Sequence, residues 1–359
     1  MKRLASFVLA AAMALSVVGC TAAAPSESTA ATPAPATTEA AETPAPEATP
    51  AAEAAAFPVT VTDQAGREVT IESEPQRIVS GYYISTSLLI ALGQTDKLVG
   101  IEAKADTRPI YSLSAPELLE LPNVGSAKEF DLEGCAALEP DLVILPLKLS
   151  DAAETLSGLG IPVILINPED QELLEETIAL VGTATGSTEA ADELLAFSDD
   201  QAAELESLMA DVERPTVYLA GNSDLLSTAG DAMYQSDMIR LAGGENVAAE
   251  LTDTYWVDVD YEQILAWDPE YIILASDASY TCEDVLNDEA LASCTAVVNG
   301  NVYQIPSDAE AWDSPVPSGI LGSVWLASVL HPDVMSTEDA TAVMSNYYDT
   351  FYHFTYPAA

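Results

Sequence analysis

Asp131–Leu147 reads DLEGCAALEPDLVILPL, and its two halves carry different periods. Leu132–Leu138 has the small and apolar residues of a short helix. Asp141–Pro146 is a continuous apolar run of strand length, as a strand buried on both faces requires. The same alternation extends outward. Arg77–Gly81, Lys97–Ile101 and Pro162–Asn167 are further short apolar runs, and Thr86–Leu92, Asp151–Leu159 and Gln171–Val181 are helical. Buried strands alternating with helices indicate βαβ units and a parallel sheet covered on both faces. Ahead of them, Val59–Asp63 and Arg67–Ile71, joined through Ala65-Gly66, form a hairpin.

After this block, Ala191, Leu194, Leu195, Ala202, Leu205, Leu208, Met209 and Val212 recur at steps of three and four, which predicts one long helix from Ser187 to Val212, closed by Pro215. The pattern then restarts, with strands at Thr216–Gly221, Tyr271–Ser276 and Asn301–Pro306 and helices at Met233–Leu241, Tyr261–Ala266 and Ser318–Leu330. The fold class is therefore α/β: two Rossmann-like lobes, at 57–186 and 214–359, with mainly parallel sheets, joined by one long rigid helix at 187–213. Such a joint predicts only modest closure.

The N-terminus reads as an address. Lys2 and Arg3 precede an apolar run, Leu4 to Val18, too short to span a bilayer comfortably. The ending Val17-Val18-Gly19-Cys20 resembles a bacterial lipobox, which makes 1–19 a lipoprotein signal peptide and Cys20 the lipidated residue. Residues 21–56 are almost wholly Ala, Pro, Thr, Ser and Glu and bury too little apolar surface to fold. With Cys20 they form a tether, 20–56, whose 36 residues after the cysteine reach about 110 Å at ~3.1 Å each. The expected location is extracytoplasmic, lipid-anchored to the bacterial cell membrane.

Charge excludes whole classes of partner. The chain has 11 Lys and Arg against 58 Asp and Glu, a net charge of −47, and no basic run, so nucleic-acid binding is excluded and anionic lipid headgroups repel it. Beyond the signal nine cations remain: Arg67, Arg77, Lys97, Lys104, Arg108, Lys128, Lys148, Arg214 and Arg240. None follows Arg240. Cys135 sits in an apolar helix and reads as a small core residue. Cys282 and Cys294 flank one short segment outside the cytosol, where a local disulfide and two free thiols are both open. No Cys/His cluster marks a metal site, and no resident cofactor is expected.

Several fragments, in order, resemble the iron-siderophore and vitamin B12 class of ABC-transporter substrate-binding proteins (class III, helical backbone). They are Gln76-Arg77-Ile78-Val79-Ser80, Ile90-Ala91-Leu92-Gly93 with Lys97-Leu98-Val99-Gly100-Ile101, Val124-Gly125-Ser126, Asp131-Leu132-Glu133, and Leu138-Glu139-Pro140-Asp141-Leu142-Val143; in the second lobe they are Ala242-Gly243-Gly244-Glu245-Asn246-Val247, Tyr261-Glu262-Gln263-Ile264-Leu265 and Asp268-Pro269-Glu270. The resemblance covers essentially all of 57–359. It implies a lipoprotein that captures a ferric siderophore, or a related cobalamin or haem ligand, between its lobes and hands it to a membrane permease with its ATPase. It also implies that Glu133 and Glu262 dock into basic pockets of that permease. Many members carry a glutamate where this chain has Ser87, so the helix entry and cleft chemistry are expected to differ.

In open α/β sheets, ligands bind beyond the carboxyl ends of the strands. In the first lobe those loops hold Tyr82, Tyr83, Lys104, Arg108, Tyr111, Lys128 and Lys148, and in the second Asn222, Trp256, Trp312 and Asp313. The cations gather in the first lobe, so an anionic or oxygen-rich ligand is expected there, covered by Trp256 and Trp312 stacking from the second. An oxyanion receptor for molybdate or tungstate is the alternative within the fold, and a surface adhesion lipoprotein the alternative outside it. An enzyme is not expected: His331 and His353 are the only histidines, and no nucleophile elbow, phosphate loop or metal-protease helix occurs. The protein is expected to act as a monomer.

Overall fold

The computed structural model describes residues 57–251 and 256–356. The signal, Cys20 and the tether lie outside the described residues.

The first lobe opens with a hairpin of β1 (Val59–Thr62) and β2 (Glu68–Ile71). It continues through β3 (Ile78–Ser80), α1 (Tyr83–Ala91), β4 (Leu98–Gly100), α2 (Pro109–Ser114), α3 (Leu132–Ala137), β5 (Leu142–Pro146), α4 (Ser150–Gly158), β6 (Val163–Ile166) and α5 (Gln171–Thr185). Helix α6 (Thr188–Leu208) leads to the second lobe and, at 21 residues, is about 30 Å long. The second lobe comprises β7 (Thr216–Ala220), β8 (Ser227–Ala229), α7 (Tyr234–Leu241), β9 (Glu245–Asn246), β10 (Trp256–Asp258), α8 (Tyr261–Trp267), β11 (Tyr271–Leu274), α9 (Cys282–Leu286), α10 (Thr295–Asn299), β12 (Val302–Gln304), α11 (Ile320–Leu330) and α12 (Thr337–Phe351).

The two main sheets share one topology. The first runs β4-β3-β5-β6 and the second β9-β7-β11-β12, all neighbours parallel. Counted within each lobe, both follow the order second, first, third, fourth. Strands β8 and β10 form a separate antiparallel pair.

Alternation along the strands divides the core. Ile78, Leu142, Ile144, Ile164 and Ile166 of the first sheet face inward, and so do Val217 and Leu219 of the second. All join one apolar cluster with Leu88, Leu89, Ile178, Leu194, Leu205, Leu321, Val324, Tyr347 and Phe351 from α1, α5, α6, α11 and α12. The alternate residues Val79, Val143, Leu145, Val163 and Leu165 pack an outer core on the first lobe, and Tyr218, Ile272 and Leu274 another on the second. A helical layer between the sheets thus belongs to both lobes. Helix α12, which the sequence reading omitted, also returns to the first lobe: the Tyr352 carbonyl accepts from Ser114 Oγ at 2.6 Å.

Cys135 is buried, as expected, and burial pushes its thiol up to about 11. The disulfide alternative does not form. Cys135, Cys282 and Cys294 are free thiols, and Cys294 is buried with its sulfur 3.9 Å from the Pro269 carbonyl oxygen.

Candidate ligand-binding site

The cleft site begins where β3 ends. Tyr82, in extended conformation, is the N-cap of α1 and turns the chain so that Tyr83 faces the opposite lobe. The first turn is a run of small hydroxyls. Ser80 and Ser85 Oγ lie 2.7 Å apart, and Thr86 Oγ1 lies 2.7 Å from Ser80 Oγ and donates to Glu102 Oε2 at 2.6 Å.

Glu102 follows β4 and is only 5% exposed. Its other oxygen accepts from Tyr111 Oη at 2.6 Å, and Arg108 Nε faces that oxygen at 3.7 Å. Two hydroxyl donors thus fix the carboxylate in place beside the arginine. The Arg108 guanidinium lies 3.9 Å from the centroid of the Tyr83 ring, a cation–π stack. Its Nε is buried without a hydrogen-bond partner, so an arginine with five N–H donors keeps donor capacity for an incoming acceptor.

The second lobe meets this platform through the segment after β12. Glu310 is 7% exposed; one oxygen accepts from Ser87 Oγ and the other from Ser318 Oγ, each at 2.5 Å. Ser87 Oγ is also 2.8 Å from Tyr352 Oη, so one hydroxyl joins α1, the segment after β12 and α12. Burial raises the Glu310 carboxyl above its ordinary value, against the lowering pull of Ser318, Ser87 and Arg108. Burial likewise raises Tyr83, against Arg108, which keeps a neutral phenol as donor. Together Tyr83, Ser87, Arg108, Tyr111, Asp277, Ser307 and Glu310 line a cavity of about 70 Å³ between the lobes.

Of the predicted residues, Tyr83, Arg108 and Tyr111 converge on this cavity. Tyr82 packs edge-on against Tyr83 with ring centroids 5.0 Å apart, but does not line it. Lys104, in a left-handed turn of the same β4–α2 connection as Arg108, and Lys128 and Lys148, on other loops, are exposed and line no part of it. Asn222 is exposed and its carbonyl accepts from Ser279 N at 2.8 Å.

Three expectations for the second lobe need correction. Trp312 is 1% exposed, and its Nε1–H donates to Tyr348 Oη at 2.8 Å, so it is an anchor of the shared core and offers the cleft no stacking face. Trp256, 40% exposed, sits on the β10–β8 ribbon outside the cavity. Asp313 is also consumed structurally: its carboxylate accepts from Ser276 N at 3.0 Å and Ser276 Oγ at 2.5 Å, tying the segment after β12 to the end of β11.

The sequence reading missed Glu102, Asp277, Ser307 and Glu310. Glu102 and Asp277 carry a readable signal, since each closely follows a parallel strand. Ser307 and Glu310 follow β12 on the same loop as Trp312 and Asp313, but nothing in the sequence singles Glu310 out from the 58 Asp and Glu.

Glu133 and Glu262 occupy matching local structures on the two lobes. Asp131 caps α3 by accepting from Gly134 N, and Asp260 caps α8 by accepting from Gln263 N, both at 2.8 Å. Each glutamate is exposed in the first turn that follows. Among the described residues no group of three His, Cys, Asp or Glu could hold a metal ion, and no helix is long and apolar enough to cross a membrane.

Comparison with known proteins agrees with this architecture. The family described as "Periplasmic binding protein" matches residues 78–309. The molybdate-binding protein MolA of Haemophilus influenzae is 30% identical over 82% of this chain and 91% of its own length. The crystal structure of MolA bound to molybdate superposes with a TM-score of 0.72 at 26% identity, covering 84% of this chain and all of that one. A cobalamin-binding protein of Halobacterium salinarum is 26% identical over 77% of this chain and 75% of its own length. With two sheets of one topology, a bridging helix and a polar inter-lobe cleft, the chain belongs to the periplasmic binding protein family, as an extracytoplasmic, non-enzymatic ABC-transporter substrate-binding protein of the class III type.

Proposed function

We propose that this protein captures a small oxyanion of the molybdate class in the inter-lobe cleft and delivers it to its permease. The observation that carries this reading is Arg108: a guanidinium stacked on Tyr83, paired at 3.7 Å with Glu102 but with no hydrogen bond to Nε, lining a cavity of about 70 Å³. Pockets for drug-sized ligands run to about 300–1,000 Å³. The cleft in this conformation therefore suits an ion of a few heavy atoms better than a siderophore, haem or corrin, and the likeness to MolA supports the same choice. Arg108 supplies charge-assisted donors, Tyr83 and Ser307 neutral ones.

A metal chelate remains the second reading, favoured by the cobalamin-binding relative, and requires the lobes to stand further apart. In either case Glu133 and Glu262 present one acid per lobe to a basic permease surface, and Cys20 anchors the chain to the membrane through the tether. The monomer has both lobes of the cleft and needs no second copy.

Isothermal titration with molybdate, tungstate, a ferric siderophore, cobalamin and haemin tests the cargo. Molybdate or tungstate should bind, and Arg108→Ala should weaken binding roughly 10- to 150-fold, for loss of about 1.5–3 kcal/mol of charge-assisted hydrogen bonding. Tight binding of cobalamin, with no heat from either oxyanion, would overturn the oxyanion reading and leave the chelate reading standing.

A further inference from the structure

The charges around the cleft pose a problem for an anion. Among the described residues Arg108 is the only cation lining the cavity, and Glu102 already faces it at 3.7 Å. Glu310 adds a second buried carboxyl, this one in the lining itself, and Asp277 lines the cavity as well. The other titratable groups facing Glu310 add no positive charge: Tyr83 from α1, and Tyr347, Tyr348 and Tyr352 from α12, all held neutral by burial. An ionised Glu310 would leave the pocket negative before any anion arrived. Like charges at close range in a low-dielectric site repel strongly.

Resting on the oxyanion reading, we propose that the cleft takes up its anion together with one proton, and that Glu310 is the proton's site. The hydrogen-bond network accommodates both protonation states. With Glu310 ionised, Ser87 and Ser318 donate to its two oxygens at 2.5 Å. With Glu310 protonated, its O–H donates to one of those hydroxyl oxygens, because a serine hydroxyl both donates and accepts. Ser87 Oγ then turns its own hydrogen toward Tyr352 Oη, 2.8 Å away, where either oxygen can be the donor. No bond of the network is lost and no backbone need move. Burial already lifts the Glu310 carboxyl, and Arg108 is among the groups that hold it down. An anion that engages Arg108 screens that pull and adds its own repulsion, so the carboxyl gains proton affinity on binding.

Linkage fixes the sign. The bound state holds more protons than the free state, so affinity rises as pH falls. It weakens up to tenfold per pH unit between the free and bound Glu310 transitions.

The test is titration of the intact protein with sodium molybdate and, in parallel, sodium sulfate, from pH 5.5 to 8.5, in two buffers of different ionisation enthalpy. Sulfate takes up no proton itself in this range, so it separates protonation of the protein from protonation of the ligand. The expected result is uptake approaching one proton per anion in the wild type, with affinity falling as pH rises. Glu310→Gln should show no uptake and a flat pH profile. Binding with zero proton uptake and pH-independent affinity in the wild type overturns the inference and leaves the oxyanion reading intact; that result needs no variant, so it stands even if Glu310→Gln fails to fold. Uptake unchanged in Glu310→Gln likewise overturns it. Absence of binding by both anions and by tungstate at every pH removes the oxyanion reading and the inference with it.

Discussion

Replacing Glu102 with alanine should destabilise the first lobe by about 2–6 kcal/mol. Glu102 is nearly fully buried, and its two oxygens accept from Thr86 Oγ1 and Tyr111 Oη, both at 2.6 Å. Both donors sit on buried residues. Alanine removes the carboxylate acceptor of both, worth about 1–3 kcal/mol for each hydrogen bond, and leaves Thr86 Oγ1 with Ser80 Oγ and the Tyr82 carbonyl and Tyr111 Oη with the Tyr83 carbonyl at 3.3 Å. The ion pair with Arg108 adds little: at 3.7 Å it is beyond hydrogen-bond range, and the arginine side chain is 35% exposed, so less than about 1 kcal/mol belongs to it. For a domain of this size, about 2–4 °C of Tm accompanies each kcal/mol, which places the expected drop at roughly 4–24 °C. Glu102→Gln keeps one acceptor oxygen and should lose less than half as much. Urea unfolding followed by circular dichroism gives the free energy, and calorimetry gives Tm. A Glu102→Ala variant within about 1 kcal/mol of wild type, or no less stable than Glu102→Gln, would refute the reasoning that this carboxylate is the keystone of the hydroxyl network beneath Arg108.

Two further outcomes follow from residues the structure has placed. Trp312→Ala should cost about 3–5 kcal/mol, the range for a buried aromatic, because it empties the contact with Tyr348 and Tyr356. Conversion to a milder Trp312→Phe should leave molybdate affinity within about twofold, measured by titration, since the ring does not line the cleft. Glu133→Ala and Glu262→Ala should each leave thermal stability and oxyanion affinity unchanged while lowering stimulation of the permease ATPase in reconstituted vesicles, with the double variant lowest; unaltered stimulation in the double variant would remove both from the docking surface.

The site was partly legible. Tyr83, Arg108 and Tyr111 could be found because a parallel strand delivers its following loop to the same edge of the sheet every time. Lys104, Lys128 and Lys148 satisfied the same rule and still line no part of the cavity, because the rule names a loop and not which of its side chains turn inward: Lys104 shares its loop with Arg108 and is exposed. Trp312 and Asp313 failed for a related reason. Aromatic and acidic residues beyond a strand can serve the cleft or the core, and the decision lay with Tyr348 and Ser276, which are 36 and 37 positions away in the chain.

What the sequence determined by itself is local and periodic. The apolar runs specified buried strands, the three- and four-residue spacing specified the bridging helix, and the scarcity of cations specified which lobe could carry positive charge to a ligand. The tertiary structure alone decided what depends on meetings between distant residues. It set Glu310 against Ser87 across 223 positions and returned Tyr352 to the first lobe. It also merged the inner faces of both sheets into one core. A strand's period is written in neighbouring residues, whereas the protonation of a buried carboxyl depends on every group packed around it, wherever those groups lie in the chain.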